Sequence, residues 1–232
     1  MDFSIELLAE DALLLRFGEG IDIDVNARVH AAARTLRAAM LPGLMDIAPA
    51  YATLLLRFDP FTCSAYDKFR NALSQALGAG NQEAPPIPDV LREIIIPTCY
   101  GGEHGPDLDA VAKHAHLSPD EAIARHATAE YTVAMLGFAP GFPYLLGLDA
   151  ALHVPRRANP RTRVPAGSIA IGGAQTGIYP RELPGGWHLI GRTPLTLFDP
   201  ERDPPCLLAP GDRVRFRAID TDEFSRLAEH TA

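Results

Sequence analysis

The first forty residues change from a strand pattern to a helix pattern. Residues 4–8 and 12–17 are apolar runs on either side of an Ala-Glu-Asp turn, which predicts a β-hairpin. From Val25 to Met40, apolar residues recur three or four positions apart and therefore share one face of a helix. Asp24 is predicted to cap this helix, because an aspartate side chain accepts hydrogen bonds from the first free amides.

Two further strands and a second helix follow this first helix. The strands are predicted at residues 44–48 and 53–58, and the helix at 64–77. The inward face of this helix is formed by Tyr66, Phe69, Leu73 and Leu77. We expect an α+β sandwich with two helices on one face of an antiparallel sheet, and with residues 93–97 as a candidate closing strand. Its expected role is association, not catalysis.

A change of composition marks the end of this region. Residues 78–89, GAGNQEAPPIPD, are too rich in Gly, Pro and polar residues to form a regular element. We therefore predict an α+β association domain over residues 1–84, a linker over 85–93 and a mainly-β barrel domain over 94–232.

The second part of the chain begins with helices and continues with strands. Asp107 and Ser118 are predicted N-caps of two short helices, and Pro119 and Glu121 fit the first turn of the second one. From Tyr131 onward the chain consists of short β-branched or alternating segments bounded by Gly or Pro. A closed barrel is expected, because closure leaves no exposed strand edges.

Composition limits the setting of the protein. The N-terminus carries acids where a signal peptide needs basic residues, and no apolar run approaches the ~20 residues that span a bilayer, so a cytoplasmic protein without membrane association is expected. The three cysteines form no CxxC pair, which argues against a disulfide framework or a zinc site. His114 and His116 lie two positions apart, on different faces of a helix, so no metal site is expected there.

The positive charge of the chain is concentrated in one segment. The net charge is -8, yet residues 151–192 hold six arginines against the single acid Glu182. A nucleic-acid-binding protein usually has a high pI, whereas the value here is about 5.4, so nucleic acid is not an expected partner. Arginine presents a planar fork that suits carboxylate or phosphate, which favours a small anion. The alternative is that these arginines only solvate the rim of the barrel.

Five long motifs in the second part carry a resemblance to a known family. They are CYGGEHGPDL (Cys99–Leu108), GFAPGFPYLLGL (Gly137–Leu148), PRRANPRTRVPAGSIAIGGAQTGIYP (Pro155–Pro180), LPGGWHLIGRTPLTLFDP (Leu183–Pro200) and LLAPGDRVRF (Leu207–Phe216). Together they resemble the KipI/PxpB family, also called allophanate hydrolase subunit 1. One departure is Leu183, which stands before PGGW where the family usually has serine.

The resemblance implies a cyclophilin-like β-barrel after a small α+β domain. It also implies a subunit that works with a homologous barrel protein of the PxpC (allophanate hydrolase subunit 2) type and with a PxpA-type subunit. In its commonest role this assembly is a bacterial ATP-dependent 5-oxoprolinase, which opens 5-oxo-L-proline to L-glutamate. ATP is then a co-substrate, with Mg²⁺ accompanying the nucleotide and no tightly bound cofactor. A homodimer through the N-terminal domain stays an open alternative.

This chemistry needs cations and hydrogen-bond donors around phosphate and carboxylate groups. The expected catalytic residues are Arg156, Arg161, Gln175 and Arg192. The expected substrate- or nucleotide-binding residues are Gly172, Gly173, Gly177, Tyr179 and Trp187. The chain has no GxxxxGK[ST] loop, no GxGxxG after a strand, and no placeable paired-carboxylate or Ser/His/Asp spacing. We therefore expect a composite site, inactive in the isolated chain and completed by partner subunits.

Plainer interpretations remain open for these residues. The three glycines can serve tight turns, Gln175 and Tyr179 can hold turn backbone, and Trp187 can fill the barrel. Two other functions also remain open at this point. One is a component of an ATP-dependent urea- or allophanate-degrading system, and the other is a KipI-like inhibitor of a sensor histidine kinase.

Overall fold

The structure is a computed structural model that describes residues 3–62, 66–79 and 92–229. The chain divides into two compact units, with the boundary between residues 91 and 92. Residues 85–91 of the predicted linker lie outside the described residues. Each unit has its own hydrophobic core.

The first unit is an antiparallel sheet with two helices. Its elements are β1 (Ser4–Ala9), β2 (Ala12–Arg16), α1 (Ile23–Ala39), β3 (Leu44–Pro49), β4 (Thr53–Phe58) and α2 (Tyr66–Ala79). The strands pair in the order β1-β2-β4-β3, each pair antiparallel. The predicted hairpin, strands and helices are confirmed, although residues 64 and 65 of the second predicted helix lie outside the described part of the chain.

The core of this unit lies on one face of the sheet. Leu13 and Leu15 of β2 and Leu54 and Leu56 of β4 are fully buried, because side chains two positions apart share a face of a strand. The helices cover this face with Val29, Ala32, Ala33, Leu36, Phe69, Leu73 and Leu77. Burying one such leucine contributes about 1.5–3 kcal/mol, which is enough to fix the side on which the helices pack.

Helix α1 begins two residues earlier than expected. Asp22, not Asp24, is the N-cap, since its carboxylate accepts from the backbone amides of Asp24 and Val25 at 2.9 Å. Asp22 has an extended backbone, as a cap requires, whereas Asp24 already lies in the first turn. The prediction of Asp24 was therefore wrong. The helix ends at Met40, which adopts a left-handed conformation.

The candidate closing strand belongs to the second unit. Strand β5 (Glu93–Tyr100) pairs in parallel with β13 (Arg213–Ile219) and antiparallel with β12 (His188–Arg192). The expectation that residues 93–97 close the first sheet was wrong, because these residues satisfy their backbone hydrogen bonds in the barrel. The local apolar pattern predicts a strand but carries no information about its partner.

Seven strands of the second unit form a closed barrel, as expected. The remaining barrel strands are β6 (Tyr131–Leu136), β7 (Pro143–Leu146), β9 (Ser168–Gly172) and β10 (Gln175–Ile178). The strand order around the barrel is β10-β7-β6-β13-β5-β12-β9. A separate two-stranded sheet is formed by β8 (Arg161–Val164) and β11 (Leu183–Gly185).

Three helices accompany the barrel: α3 (Leu108–His114), α4 (Pro119–Thr128) and α5 (Thr221–Glu229). The predicted cap at Ser118 is confirmed. Its hydroxyl accepts from the Glu121 amide, while the Glu121 carboxylate accepts from the Ser118 amide at 2.8 Å, which is a complete capping box. Among the helices that the structure describes, none has the length and apolarity needed to cross a bilayer.

Helix α4 places a histidine in the barrel core. His126 is fully buried, with Nδ1 2.8 Å from the Tyr100 hydroxyl and Nε2 3.2 Å from Oγ1 of Thr176. The Thr176 hydroxyl donates to the carbonyl of Ala170, so it accepts the Nε2 proton, and Nδ1 accepts from Tyr100. His126 is therefore a neutral residue held as one tautomer, and burial lowers its pKa to about 3.

Candidate functional site

A pocket of about 240 Å³ opens at one end of the barrel. Its lining residues are Phe138, Phe142, Tyr144, Arg156, Arg157, Pro160, Tyr179, Pro184, Gly185, Gly186 and Trp187. They come from separate stretches of the glycine-rich segment, which the barrel strands β7, β10 and β12 bring together. Since none of the lining residues is acidic, the pocket has an apolar floor and a cationic rim.

The floor is a cluster of aromatic rings around Phe142. The ring of Phe142 lies 5.2 Å from that of Tyr179 and 5.8 Å from that of Trp187, both in edge-to-face geometry. Tyr144 closes the cluster at 5.0 Å from Phe142 and 5.9 Å from Trp187. Edge-to-face pairs of this kind contribute about 0.5–1.5 kcal/mol each beyond area burial, so the walls are preformed.

Small residues let the rings approach the backbone this closely. A Cβ at Gly172 would lie 2.6 Å from the indole of Trp187, and one at Gly177 would lie 2.7 Å from the Pro143 carbonyl oxygen. A Cβ at Gly185 would lie 2.1 Å from the Tyr179 hydroxyl. These glycines therefore shape the pocket by the absence of a side chain.

Of the three glycines expected to bind a ligand, none lines the pocket. Gly172 and Gly177 lie in strands behind the aromatic rings. Gly173 is exposed with φ +66°, and its amide donates to the Val154 carbonyl at 2.7 Å, so this N–H is already occupied. A phosphate-binding role for these amides remains a prediction that the geometry of the pocket does not favour.

The arginine cluster is organised by Asp107, which the sequence pattern assigned to a helix cap. The Asp107 carboxylate is buried and makes no capping hydrogen bond to α3. Instead it accepts two hydrogen bonds from Arg161 at 2.8 Å, one from Arg157 at 2.9 Å and one from the Leu189 amide at 2.8 Å. The predicted capping role was wrong, because these four donors satisfy the carboxylate completely.

Asp107 is ionised despite its burial. Desolvation by itself would raise the pKa of this carboxyl, but the hydrogen bonds from Arg161 and Leu189 and the charges of both arginines outweigh it and lower the pKa. The carboxylate thereby neutralises one of the two guanidinium charges next to it. Arg157, which lines the pocket, still has a buried Nε donor without a hydrogen-bond partner among the described residues.

The other predicted arginines have separate environments. Arg156 lies at the pocket, with its guanidinium carbon 5.9 Å from the centre of the Trp187 ring. Arg192 is not brought to the pocket: its Nε donates to the Ala166 carbonyl at 2.8 Å, and its guanidinium lies over Phe224 of α5. Of the predicted catalytic residues, the structure therefore places only Arg156 in the lining of this pocket.

Gln175 also lies away from the lining, whereas both predicted aromatic residues belong to it. Gln175 is buried in β10 opposite Gly172. Tyr179 and Trp187 are buried parts of the aromatic floor. Leu183, the departure from the family motif, packs against the same aromatic cluster.

Sequence reasoning missed two residues of this region. Asp107 was missed because an acid before a helix is usually a cap, and only its partners in space show otherwise. Phe138 was missed because an exposed ring carries no periodic signal. It has φ +66°, which is uncommon for a residue with a side chain, and it stands edge-to-face to Phe142 at the pocket mouth. Strained positions of this kind cluster at ligand sites.

Nothing in the described ranges points to a resident metal ion. Residues 3–62, 66–79 and 92–229 contain no group of three or more His, Cys, Asp or Glu side chains that could hold one. The arrangement at the pocket is suited to a different task, which is to bind a small anion between arginine side chains and aromatic rings.

The fold and the pocket define a barrel protein with a preformed small-ligand site. The family model for the carboxyltransferase domain, subdomain C and D, matches residues 3–208. The PxpB-type subunit of 5-oxoprolinase from Bacillus subtilis (strain 168) is 42% identical over an alignment of 239 residues, which covers 99% of this chain and 98% of that protein. The chain therefore belongs to the KipI/PxpB family of carboxyltransferase C and D domains, as its motifs predicted.

Other relatives match over part of their length. The corresponding 5-oxoprolinase subunit of Escherichia coli O157:H7 is 56% identical over 135 residues, or 58% of this chain and 62% of that protein. The crystal structure of TTHA0988 superposes with a TM-score of 0.77 at 42% identity; the match covers 90% of this chain but only 40% of that longer one. PH0987 from Pyrococcus horikoshii has 40% identity and a TM-score of 0.57, covering 95% of this chain and all of that one.

A more distant likeness concerns the fold alone. The K. lactis urea amidolyase structure is 20% identical, with a TM-score of 0.73, and this chain corresponds to 15% of its length.

Proposed function

We propose that this chain is a subunit of an ATP-dependent 5-oxoprolinase complex, and that its barrel pocket is part of the substrate site. The observation that carries the proposal is the 42% identity to the Bacillus subtilis 5-oxoprolinase subunit over nearly the full length of both proteins. The pocket agrees with this role, because 5-oxoproline is a small ring with one carboxylate and the pocket combines aromatic walls with arginines.

The reaction needs more than binding. A lactam amide is hydrolysed slowly, and transfer of the ATP γ-phosphoryl group to the lactam oxygen turns that oxygen into a leaving group. Water then attacks the same carbon, the ring opens to L-glutamate, and ADP and phosphate are released. Mg²⁺ is expected to accompany the nucleotide. In this chain the residues suited to the substrate side are Arg156, Arg157 and Tyr179, which hold and orient the lactam.

Further subunits are part of the proposal. The isolated chain is proposed to be inactive and to work with a PxpC-type and a PxpA-type protein. Two observations support a composite site: the pocket offers arginines and tyrosines but no carboxylate or nucleophile, and this chain matches only 40% of the longer TTHA0988 chain. A homodimer through the first unit also remains a proposal.

The test is reconstitution. The chain is co-expressed with its PxpC-type and PxpA-type partners, and L-glutamate formation is measured with 5-oxo-L-proline and ATP. We expect turnover that requires all three proteins and ATP, and no turnover of urea. Full activity without this chain, or turnover of urea alone, would refute the proposal.

Variants locate the site within the working complex. Arg156→Gln is expected to lower kcat/KM at least tenfold, which corresponds to about 1.4 kcal/mol of lost transition-state stabilisation. The matched control is Arg163→Gln, because Arg163 is exposed, lies outside the pocket lining and pairs only loosely with Glu182 at 3.5 Å. If both variants stay within twofold of wild type, the pocket is not the substrate site.

A further inference from the structure

The arginines at the pocket differ in how much charge they have left for a ligand. Arg161 is engaged by Asp107 through two hydrogen bonds, and Arg157 through one. Arg156 makes no hydrogen bond or ion pair with any described residue, and its guanidinium rests over the Trp187 ring. Because Asp107 offsets one of the two charges beside it, Arg156 is the guanidinium with all its donors available to an incoming anion.

The segment that carries Arg156 is held from both sides. The Arg157 amide donates to the Gly186 carbonyl at 2.8 Å, and Nε2 of His188 lies 3.0 Å from the carbonyl oxygen of Pro155. The backbone on either side of Arg156 is therefore fixed to the residues that flank Trp187. The side chain itself is exposed, so it can leave the indole face for a ligand without disturbing the fold.

A hydroxyl group lies on the other side of the pocket. The Tyr179 ring is buried, but its hydroxyl makes no hydrogen bond to a described residue and reaches the space beside Gly185. Burial, followed by the nearby Tyr144, raises the pKa of Tyr179 above its usual value, although Arg156 and Arg161 act in the opposite direction. The phenol is therefore a neutral hydrogen-bond donor, which suits a carbonyl oxygen.

The size of the pocket limits the ligand. Drug-sized ligands occupy pockets of about 300–1,000 Å³, and this one has about 240 Å³. A single small ring with a carboxylate fits such a volume, whereas a nucleoside triphosphate does not. The edge-to-face aromatic floor presents a flat surface, which favours a planar amide over a bulky aliphatic group.

We propose that this pocket binds a compact lactam monocarboxylate, with Arg156 holding the carboxylate and the Tyr179 hydroxyl donating to the ring carbonyl, and that the nucleotide binds outside it. This inference rests on the proposed function for the identity of the substrate. It goes further by giving each residue one part of the ligand, and by separating the lactam from ATP.

The chain alone suffices for the test, because Trp187 is its only tryptophan and lies in the pocket. Tryptophan fluorescence of the full chain is titrated with 5-oxo-L-proline and with 2-pyrrolidinone, which has the same lactam ring but no carboxylate. A ligand of this size binds with a Kd on the order of 1 mM, so the titration extends to tens of millimolar. We expect saturable quenching by 5-oxo-L-proline and at least tenfold weaker binding of 2-pyrrolidinone.

Two variants separate the roles of the residues. Arg156→Gln is expected to weaken 5-oxo-L-proline about tenfold and to leave 2-pyrrolidinone unchanged, because only the first ligand has a carboxylate. Tyr179→Phe is expected to weaken both ligands severalfold, since both have the ring carbonyl. Arg163→Gln is the control and should change neither. Circular dichroism of each variant checks that the fold is retained.

ATP supplies the third arm of the experiment. Calorimetric titration with 5-oxo-L-proline is repeated in the presence of excess ATP, and the Kd should not change. Equal affinity for the two ring ligands, competition by ATP, an Arg156→Gln effect no larger than that of Arg163→Gln, or no saturable signal from the folded chain each overturn the inference. Failure of the proposed function is read separately, as absence of turnover by the reconstituted complex.

Discussion

Replacement of Asp107 by asparagine tests the central polar contact of the second unit. The side chain keeps its shape and one acceptor oxygen but loses its charge. Its new NH₂ group must face donors, because the carboxylate is surrounded by the guanidinium groups of Arg157 and Arg161 and by the Leu189 amide. The variant therefore leaves two cations without their counterion and places at least one donor against another.

The expected loss of stability follows from burial. Removing one partner of a fully buried ion pair costs about 3–5 kcal/mol. Here Asp107 has only 7% of its side chain exposed, while Arg157 and Arg161 have 31% and 24%, so water solvates part of the released charge. We expect a loss of about 2–3 kcal/mol in the free energy of unfolding. At about 2–4 °C per kcal/mol for a protein of this size, the melting temperature should fall by roughly 5–10 °C.

The assay is thermal and urea unfolding followed by Trp187 fluorescence, which reports on the second unit. The control is Asp149→Asn, because Asp149 pairs with Arg125 at the surface and exposed pairs contribute at most about 1 kcal/mol. A melting temperature of the Asp107→Asn variant within about 2 °C of wild type, or no lower than that of the control, would show that the carboxylate does not organise the arginines.

Three further predictions use other parts of the structure. Because the folded pKa of His126 lies near 3 and the unfolded value near 6.5, the unfolded state binds more protons between these values, so stability falls as pH falls; unfolding free energy should drop by about 2 kcal/mol from pH 7 to pH 5, and a His126→Gln variant should lose that slope in urea titrations. Gly172→Ala should displace the Trp187 ring, shifting its emission and abolishing ligand quenching, whereas Gly173→Ala, which meets no neighbour, should cost only the backbone strain and keep the quenching; equal effects in fluorescence would contradict the packing argument. Ser118→Ala should lower the unfolding free energy by about 1 kcal/mol in the same urea titration, since it removes one half of a capping box, and no change would mean that solvent replaces the cap.

Much of the first unit and the strand content of the second follow from local patterns. Residues three and four apart predicted α1, alternation predicted β1 to β4, and the Ser118 capping box was readable from four consecutive residues. Errors occurred where a local signal had two meanings. Asp22 and Asp24 both resemble caps, and an apolar run such as residues 93–97 predicts a strand without naming the strand it pairs with.

The sequence by itself determined the family, the local elements and the concentration of arginine and glycine in one segment, because these depend on residues close together in the chain. Only the tertiary structure decided which arginine keeps a free charge. Asp107 and Arg161 are 54 positions apart, and they meet because the barrel closes and buries the carboxylate where it must find cations. The same closure gathers rings from four separate stretches against glycines, which makes a pocket that no single stretch contains.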